Sequence, residues 1–126
     1  MKDGTVVSRR TVLAAGAAAL GAPAILAGAA PTADPVRVGH IGAGTRGWDL
    51  IKYTGSAETA KVVAVCDVYK PHLERGIEAG NNPDAKRYTD YRDLLADPQV
   101  EAVVITTPDH WHEQMAIDAS NAGKAV

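Results

Sequence analysis

The stretch HIGAGTRG, residues 40–47, decides the fold, because its three glycines have the spacing Gly42-x-Gly44-x-x-Gly47. Glycine-rich turns are common, so this spacing is informative only when a strand precedes it and a helix follows it. Residues 36–41 (VRVGHI) are β-prone, and residues 45–53 have the apolar spacing of a helix. The loop therefore lies between a predicted strand and a predicted helix.

This placement predicts a cradle for the diphosphate of a dinucleotide. The first glycine permits a tight turn, the second lets the diphosphate approach the backbone, and the third lets the helix pack close to the strand. Free amide groups and the positive end of the helix dipole would hold the anion. Arg46 either adds a charge-assisted contact to phosphate or is a solvated surface arginine. We assign cofactor binding in this loop to Gly42, Gly44, Thr45, Arg46 and Gly47.

A second element of the predicted site is Asp67, which follows the apolar run KVVAVC at residues 61–66. A carboxylate twenty residues after Gly47 is placed to accept hydrogen bonds from the adenosine ribose. It would repel a 2′-phosphate, which favours NAD over NADP, although Lys70 or Arg75 would weaken that preference. The alternative is an aspartate that only caps a turn.

The rest of the chain alternates between strand and helix patterns. We therefore predict an α/β fold, a doubly wound parallel sheet of the Rossmann type. A methyltransferase-like fold is the chief rival, and the glycine spacing favours the dinucleotide fold. Beyond the second strand, the predicted elements are helix 71–79, strand 85–88, helix 90–96, strand 102–106, helix 108–122 and a strand beginning at 124.

A second motif, TTPDHWH at residues 106–112, follows the fourth predicted strand. Thr107 suits an N-cap, Pro108 suits the first helical position, and Asp109 complements the helix dipole. We expect Trp111 to be packed. His112 is either a core histidine at the helix start or a cleft residue near the nicotinamide half of the cofactor.

A metal site in this segment would need Asp109, His110, His112 and Glu113 as ligands. Residues two apart in a helix do not share a face, so the two histidines would not chelate one ion easily. We therefore expect no metal.

Composition excludes several classes of function. The chain has 126 residues with 13 basic and 15 acidic side chains, so there is no electrostatic case for nucleic-acid binding. The single cysteine, Cys66, excludes an internal disulfide and a cysteine-based zinc site, and we expect it to be buried.

Residues 1–30 have the pattern of a twin-arginine signal peptide. Arg9 and Arg10 precede an apolar stretch over residues 12–30, and Ala27-Gly28-Ala29 supplies the small residues of a cleavage site. Residues 31–35 are a linker. We expect a periplasmic or exported protein that meets the membrane only through this segment, with an uncleaved anchor as the alternative.

The run YRDLLADPQVEAVVITTPDHWH at residues 91–112, followed by Ala122-Gly123-Lys124, resembles the Gfo/Idh/MocA oxidoreductases. The resemblance implies an N-terminal Rossmann domain that binds NAD(P) and a second domain that holds a sugar or polyol whose hydroxyl is oxidised. One branch is similar to NAD-dependent glycosidases. In such proteins the segment matching 108–112 lines the cleft, so the cofactor assignment extends to Thr107, Pro108, Asp109 and His112. Homo-oligomers would form through the second domain.

The resemblance departs from the family pattern at the end of the chain. Relatives continue after Ala-Gly-Lys into a fifth strand and a Glu-Lys-Pro motif with a catalytic lysine, and Ala125 stands where a histidine is usual. We therefore expect an incomplete Rossmann domain over residues 36–126 that lacks the substrate domain. A non-catalytic NAD-binding fragment is the alternative.

Overall fold

The computed structural model describes residues 34–126. The predicted signal segment and most of the linker lie outside the described residues. Within 34–126, no helix is long and apolar enough to cross a membrane. The strands are β1 (Val36–Ile41), β2 (Ala60–Cys66), β3 (Lys86–Tyr88) and β4 (Ala102–Ile105); the α-helices are α1 (Thr45–Ser56), α2 (Lys70–Ala79), α3 (Tyr91–Ala96) and α4 (His112–Asn121), and Asp109–Trp111 is a 3₁₀ turn.

The described strands form one parallel sheet in the order β3-β2-β1-β4. The chain winds outward from β1 to β3 and then returns across the sheet to β4, so the order reverses between β1 and β4. Loops that leave the carboxyl ends of these two strands diverge, and ligands bind at such a point in open α/β sheets. The doubly wound α/β fold predicted from the sequence is confirmed.

Two cores cover the two faces of the sheet. Helices α1 and α2 pack on one face, and helices α3 and α4 pack on the other. The near-continuous apolar run of β2 is explained by this coverage of both faces of the sheet. The first core contains Ile51, Val62, Val65, Leu73 and Ile77, and the second contains Ile41, Leu94, Leu95, Val103 and Met115.

The largest departure from the sequence prediction lies after β4. The helix predicted over 108–122 begins as the 3₁₀ turn, and regular α-helix starts only at His112. The fifth strand predicted from 124 is represented by a single parallel bridge between Ala125 and Ala102. Its two backbone hydrogen bonds run from Ala125 N–H to Glu101 C=O and from Val103 N–H to Ala125 C=O.

A polar network ties this last segment to the sheet. Lys124 Nζ donates to the carbonyl oxygens of Asp97 and Val100 at 2.9 and 2.8 Å. The buried Asp97 carboxylate accepts from Lys86 Nζ and Tyr88 Oη, both at 2.9 Å. Burial alone would raise the pKa of Asp97, but these hydrogen bonds outweigh it and lower the pKa. The lysine of the Ala-Gly-Lys motif therefore has a structural partner.

His40 is a fully buried histidine in the middle of β1, on the α1 side of the sheet. The Thr54 hydroxyl donates its proton to Leu50 C=O, so it accepts from His40 Nε2–H at 3.1 Å. Among the described residues, His40 Nδ1 has no hydrogen-bond partner. A proton on Nδ1 would be an unpaired buried donor. Burial accordingly lowers the pKa of His40 to about 4.

We expect the stability of the protein to fall as the pH drops from 6.5 to 4. In that window the unfolded chain protonates His40 while the folded chain does not, which costs about 3 kcal/mol when complete. His40→Leu should flatten the dependence of unfolding free energy on pH, measured by urea denaturation. His110→Leu, on the exposed 3₁₀ turn, should keep the wild-type dependence. An equal pH dependence in His40→Leu and wild type would contradict this assignment.

Candidate cofactor site

The glycine loop connects β1 to α1 through one strained turn and one very close contact. Gly42 has a φ of +94°, a conformation that residues with a Cβ rarely adopt. A Cβ on Gly47 would overlap the Gly42 carbonyl oxygen, so only glycine permits this approach of helix to strand. The roles of tight turn and close packing predicted for these two glycines match the geometry.

Thr106, directly after β4, fixes the loop from the other side. Its hydroxyl donates to the Gly42 carbonyl at 2.7 Å, and its amide donates to the Ile41 carbonyl at 2.8 Å. The loop is therefore held by the adjacent strand as well as by its own helix. This role of Thr106 was not predicted from the sequence, although its place at the end of the fourth predicted strand was a signal.

The first turn of α1 presents unpaired amide groups. The first hydrogen bond of the helix runs from Trp48 N–H to Gly44 C=O at 2.8 Å, which leaves the amides of Thr45, Arg46 and Gly47 without an intrahelical carbonyl. Gly44 occupies the N-cap and supplies no side-chain acceptor. A Cβ there would have its nearest neighbours, His72 Cε1 and Nδ1, 3.9 Å away. The helix start has both the donors and the space that an anion needs.

Asp67 connects the loop to the turn after β2. Its Oδ2 accepts from Ala43 N–H and its Oδ1 accepts from Tyr69 N–H, both at 2.8 Å. A carboxylate has about four acceptor positions, so about two remain for other donors. Asp67 therefore caps a turn, which was the alternative interpretation, and still retains acceptor capacity toward the cavity that it lines.

A cavity of about 790 Å³ lies at the carboxyl edge of the sheet, among the loops that follow all four strands. Its walls are mainly apolar, and Gly44 and Asp67 both line it. Cys66 is also on the wall, where burial, followed by the negative charge of Asp67, Asp90 and Asp93, raises its pKa to about 12. The Cys66 thiol is therefore protonated at neutral pH and is not a nucleophile.

The structure brings only part of the predicted site to the cavity wall. Thr45 and Arg46 are exposed on the first turn of α1, and Gly47 is buried beneath the loop. Asp109 and His112 are exposed and do not line the cavity. The predicted residues on the wall are Gly42, Gly44, Asp67, Thr107 and Pro108.

The predicted local roles in the TTPDHWH segment were wrong in three respects. Thr107 does not cap a helix, and its hydroxyl instead lies 3.5 Å from Met115 Sδ. Pro108 precedes the 3₁₀ turn with a ψ of 146° rather than occupying a first helical position. Trp111 is not packed: it is 45% exposed and lines the cavity.

His112 is not the core histidine that was one of its two sequence interpretations. Its ring Nε2 lies 2.7 Å from the Thr107 carbonyl oxygen, and the residue is exposed rather than part of the core. It therefore holds the 3₁₀ turn closed against the end of β4. Within residues 34–126 there is no cluster of three or more histidine, cysteine, aspartate or glutamate side chains that fits a metal ion.

Sequence reasoning missed the loops after β2 and β3. Val68 and Tyr69 are 88% and 57% exposed beside Asp67, and His72 lies in the first turn of α2. After β3, Thr89, Asp90, Tyr91 and Arg92 complete the wall. The available signal was two apolar residues, Val68 and Tyr69, placed directly after the acid in what reads as a turn.

These features together define a dinucleotide-binding Rossmann domain: a glycine cradle, free helix amides, and an acid at the end of the second strand. Residues 36–126 match the Gfo/Idh/MocA family, an oxidoreductase family with an NAD-binding Rossmann fold, and the chain belongs to this family. The resemblance inferred from the sequence is confirmed, and the methyltransferase-like alternative is excluded.

Similar proteins include a glycosyl hydrolase family 109 protein and an inositol dehydrogenase. A glycosyl hydrolase family 109 protein of Shewanella baltica (strain OS195) is 38% identical over 102 residues, which cover 75% of this chain and 22% of that protein. The myo-inositol dehydrogenase of Lactobacillus casei, solved with NAD(H) and myo-inositol, is 33% identical with a TM-score of 0.65. The match covers 71% of this chain and 26% of that one.

A third relative carries the phosphorylated cofactor. A variant of a 3-ketoreductase from Actinomadura kijaniata, solved with TDP-benzene and NADP, is 25% identical with a TM-score of 0.65, over 71% of this chain and 28% of that one. The chain thus spans about a quarter of the length of the relatives it matches.

Alanine at two of the loop glycines separates folding from binding. Gly47→Ala should destabilise the fold by about 3 kcal/mol, because its Cβ would overlap the Gly42 carbonyl. Gly44→Ala should melt like wild type, since its Cβ meets nothing closer than 3.9 Å, yet it should weaken NAD binding by filling the cradle. Thermal melts and calorimetric titration measure the two effects. Wild-type NAD affinity in a folded Gly44→Ala would refute the cradle.

Proposed function

We propose that residues 36–126 hold NAD with its diphosphate on the free amides of Thr45, Arg46 and Gly47 and its adenosine ribose on Asp67. The observation that carries this proposal is the N-cap at Gly44, which supplies neither a side-chain acceptor nor a Cβ. A phosphate oxygen would satisfy the amides there. The exposed Arg46 can add a charge-assisted contact.

The nicotinamide half of the cofactor would then lie toward the end of β4. Thr107, Pro108 and Trp111 line this part of the cavity. Asp109 and His112 act there indirectly: His112 holds the Thr107 carbonyl, and Asp109 begins the 3₁₀ turn. When bound, NAD supplies the hydride acceptor for oxidation of a substrate hydroxyl.

We further propose that the whole protein oxidises a hydroxyl of a sugar or polyol. Support comes from the family and from the myo-inositol dehydrogenase with bound NAD(H) and myo-inositol. In this reaction the described residues bind and orient the cofactor. The substrate site belongs to the part of these relatives that the chain does not span, where a homo-oligomer would also form.

A second candidate function is NAD-dependent glycoside cleavage, which is favoured by the 38% identity with a glycosyl hydrolase family 109 protein. Such an enzyme oxidises its sugar only transiently, so no reduced cofactor accumulates. Incubation of the protein with NAD and either free polyols or aryl glycosides distinguishes the two. Net growth of NADH absorbance supports the dehydrogenase, and aglycone release without it supports the glycosidase. If the protein binds NAD but gives neither signal, the result supports a non-catalytic binding domain.

We also propose export by the twin-arginine route. This rests on Arg9, Arg10 and the apolar stretch that follows them. A route that moves folded proteins suits a protein that takes up its cofactor before it leaves the cytoplasm. When both arginines are changed to lysine, we expect export to be lost. Cell fractionation measures where the protein is found.

Asp67→Asn should weaken NAD binding by about 2 kcal/mol, roughly 30-fold, because a charged acceptor for the ribose is lost. NADP binding should weaken less or improve, since the repulsion of the 2′-phosphate disappears. Glu58→Gln, an equivalent change at an exposed position near the amino end of β2, should leave both affinities unchanged. Titration of both cofactors against the three proteins tests this. An unaltered ratio of NAD to NADP affinity in Asp67→Asn would reject the assignment.

A further inference from the structure

His72 stands between the two halves of the proposed site. Its ring Nδ1 lies 3.7 Å from Asp67 Oδ2, and its Cε1 lies 3.9 Å from the position that a Cβ on Gly44 would take. The ring of Tyr69 packs against the imidazole edge-on, with centroids 4.8 Å apart. The side chain is 39% exposed and lines the cavity. One ring thus borders both the diphosphate cradle and the ribose-binding carboxylate.

The contact between His72 and Asp67 is too long for a hydrogen bond. A neutral imidazole therefore adds little to the turn, which is already held by the Asp67 hydrogen bonds to Ala43 and Tyr69. A protonated imidazole would be an ion-pair partner for the carboxylate at this distance. The geometry makes the charge of His72 matter more to Asp67 than its packing does.

The charged and titratable groups near His72 come from four parts of the fold. Asp67 faces it from the end of β2 and Tyr69 from the turn, while the glycine loop contributes only the exposed Arg46 from α1. Its own helix carries Lys70, Arg75, Glu78 and Glu74, the last of which pairs with Arg87. The loop after β3 contributes Asp90 and Arg92, which pair with each other at 3.5 Å. Two further cavity groups, Cys66 and Tyr91, stay protonated because their pKa values are raised. Within residues 34–126, Asp67 is the carboxylate in ion-pair range of His72.

We propose that His72 makes the choice between NAD and NADP depend on pH, an inference that rests on the proposed placement of the ribose on Asp67. When His72 is neutral, the Asp67 charge is unopposed and repels a 2′-phosphate. When His72 is protonated, the imidazolium offsets that charge and offers the phosphate an N–H donor. The site then binds a nicotinamide dinucleotide with or without a 2′-phosphate on its adenosine ribose. Discrimination against NADP therefore falls as the pH drops.

The test is a calorimetric titration of NAD and NADP against the protein at pH 8, 7 and 6. In wild type, the ratio of the NADP to the NAD dissociation constant should fall about fivefold from pH 8 to pH 6, because protonation of His72 favours the cofactor that carries the 2′-phosphate. The 2′-phosphate itself titrates near this range, so the matched control is His72→Gln, which keeps that contribution. His72→Gln should lose most of the fall, and His110→Gln should retain it.

A second measurement uses unsubstituted protein and so does not depend on a variant that folds. The pH midpoint of the His72 ring signals, followed by NMR, should rise further on NADP binding than on NAD binding, because both cofactors bring a diphosphate to the ring and only NADP adds the 2′-phosphate. The inference is overturned, and the proposed function is not, by either of two results. One is an equal pH dependence of the ratio in wild type and His72→Gln, and the other is a His72 midpoint that NADP shifts no more than NAD does. Failure of NAD to bind at any pH overturns it together with the proposed function.

Discussion

The contact on which the site depends is the approach of α1 to the end of β1, where position 47 has no room for a Cβ beside the Gly42 carbonyl. That carbonyl also accepts the Thr106 hydroxyl, so one backbone group joins the helix, the first strand and the fourth strand. The helix amides are thereby held at the sheet edge where the strand order reverses. Binding capacity arises from backbone placement, and the side chains refine it.

Features that depend on short-range patterns could be predicted from the sequence. The strands β1 and β2 are a β-prone segment and a near-continuous apolar run, and their limits were predicted to within one residue. The glycine spacing predicted the tight turn at Gly42, the open space at Gly44 and the close helix packing at Gly47, because each of them requires a residue without a Cβ. Asp67 was found because its distance along the chain from the loop reflects the length of one helix and one strand.

Features that depend on particular side-chain contacts could not be predicted from residue patterns. The propensities of Thr107 and Pro108 favour a helix start, but the His112 ring reaches back to the Thr107 carbonyl and closes a 3₁₀ turn instead. That turn leaves Trp111 half-exposed on the cavity wall rather than packed. His72 and Gly44 are 28 positions apart, and no local pattern indicates that they meet. A side-chain contact thus overrode the local propensity of Thr107 and Pro108.

The structural and ligand-binding interpretations of Asp67 are not alternatives. One carboxylate oxygen orders the turn at Tyr69 and the other orders the glycine loop at Ala43, so the acid shapes the cradle before any ribose arrives. Its loss would disturb the diphosphate end as well as the ribose end, and a fall in NAD affinity alone cannot separate these effects. The ratio of NAD to NADP affinity can separate them, because only the charge near the 2′ position distinguishes the two cofactors. The same reasoning gives His72 its importance, since its ring is placed to change that charge without altering the backbone.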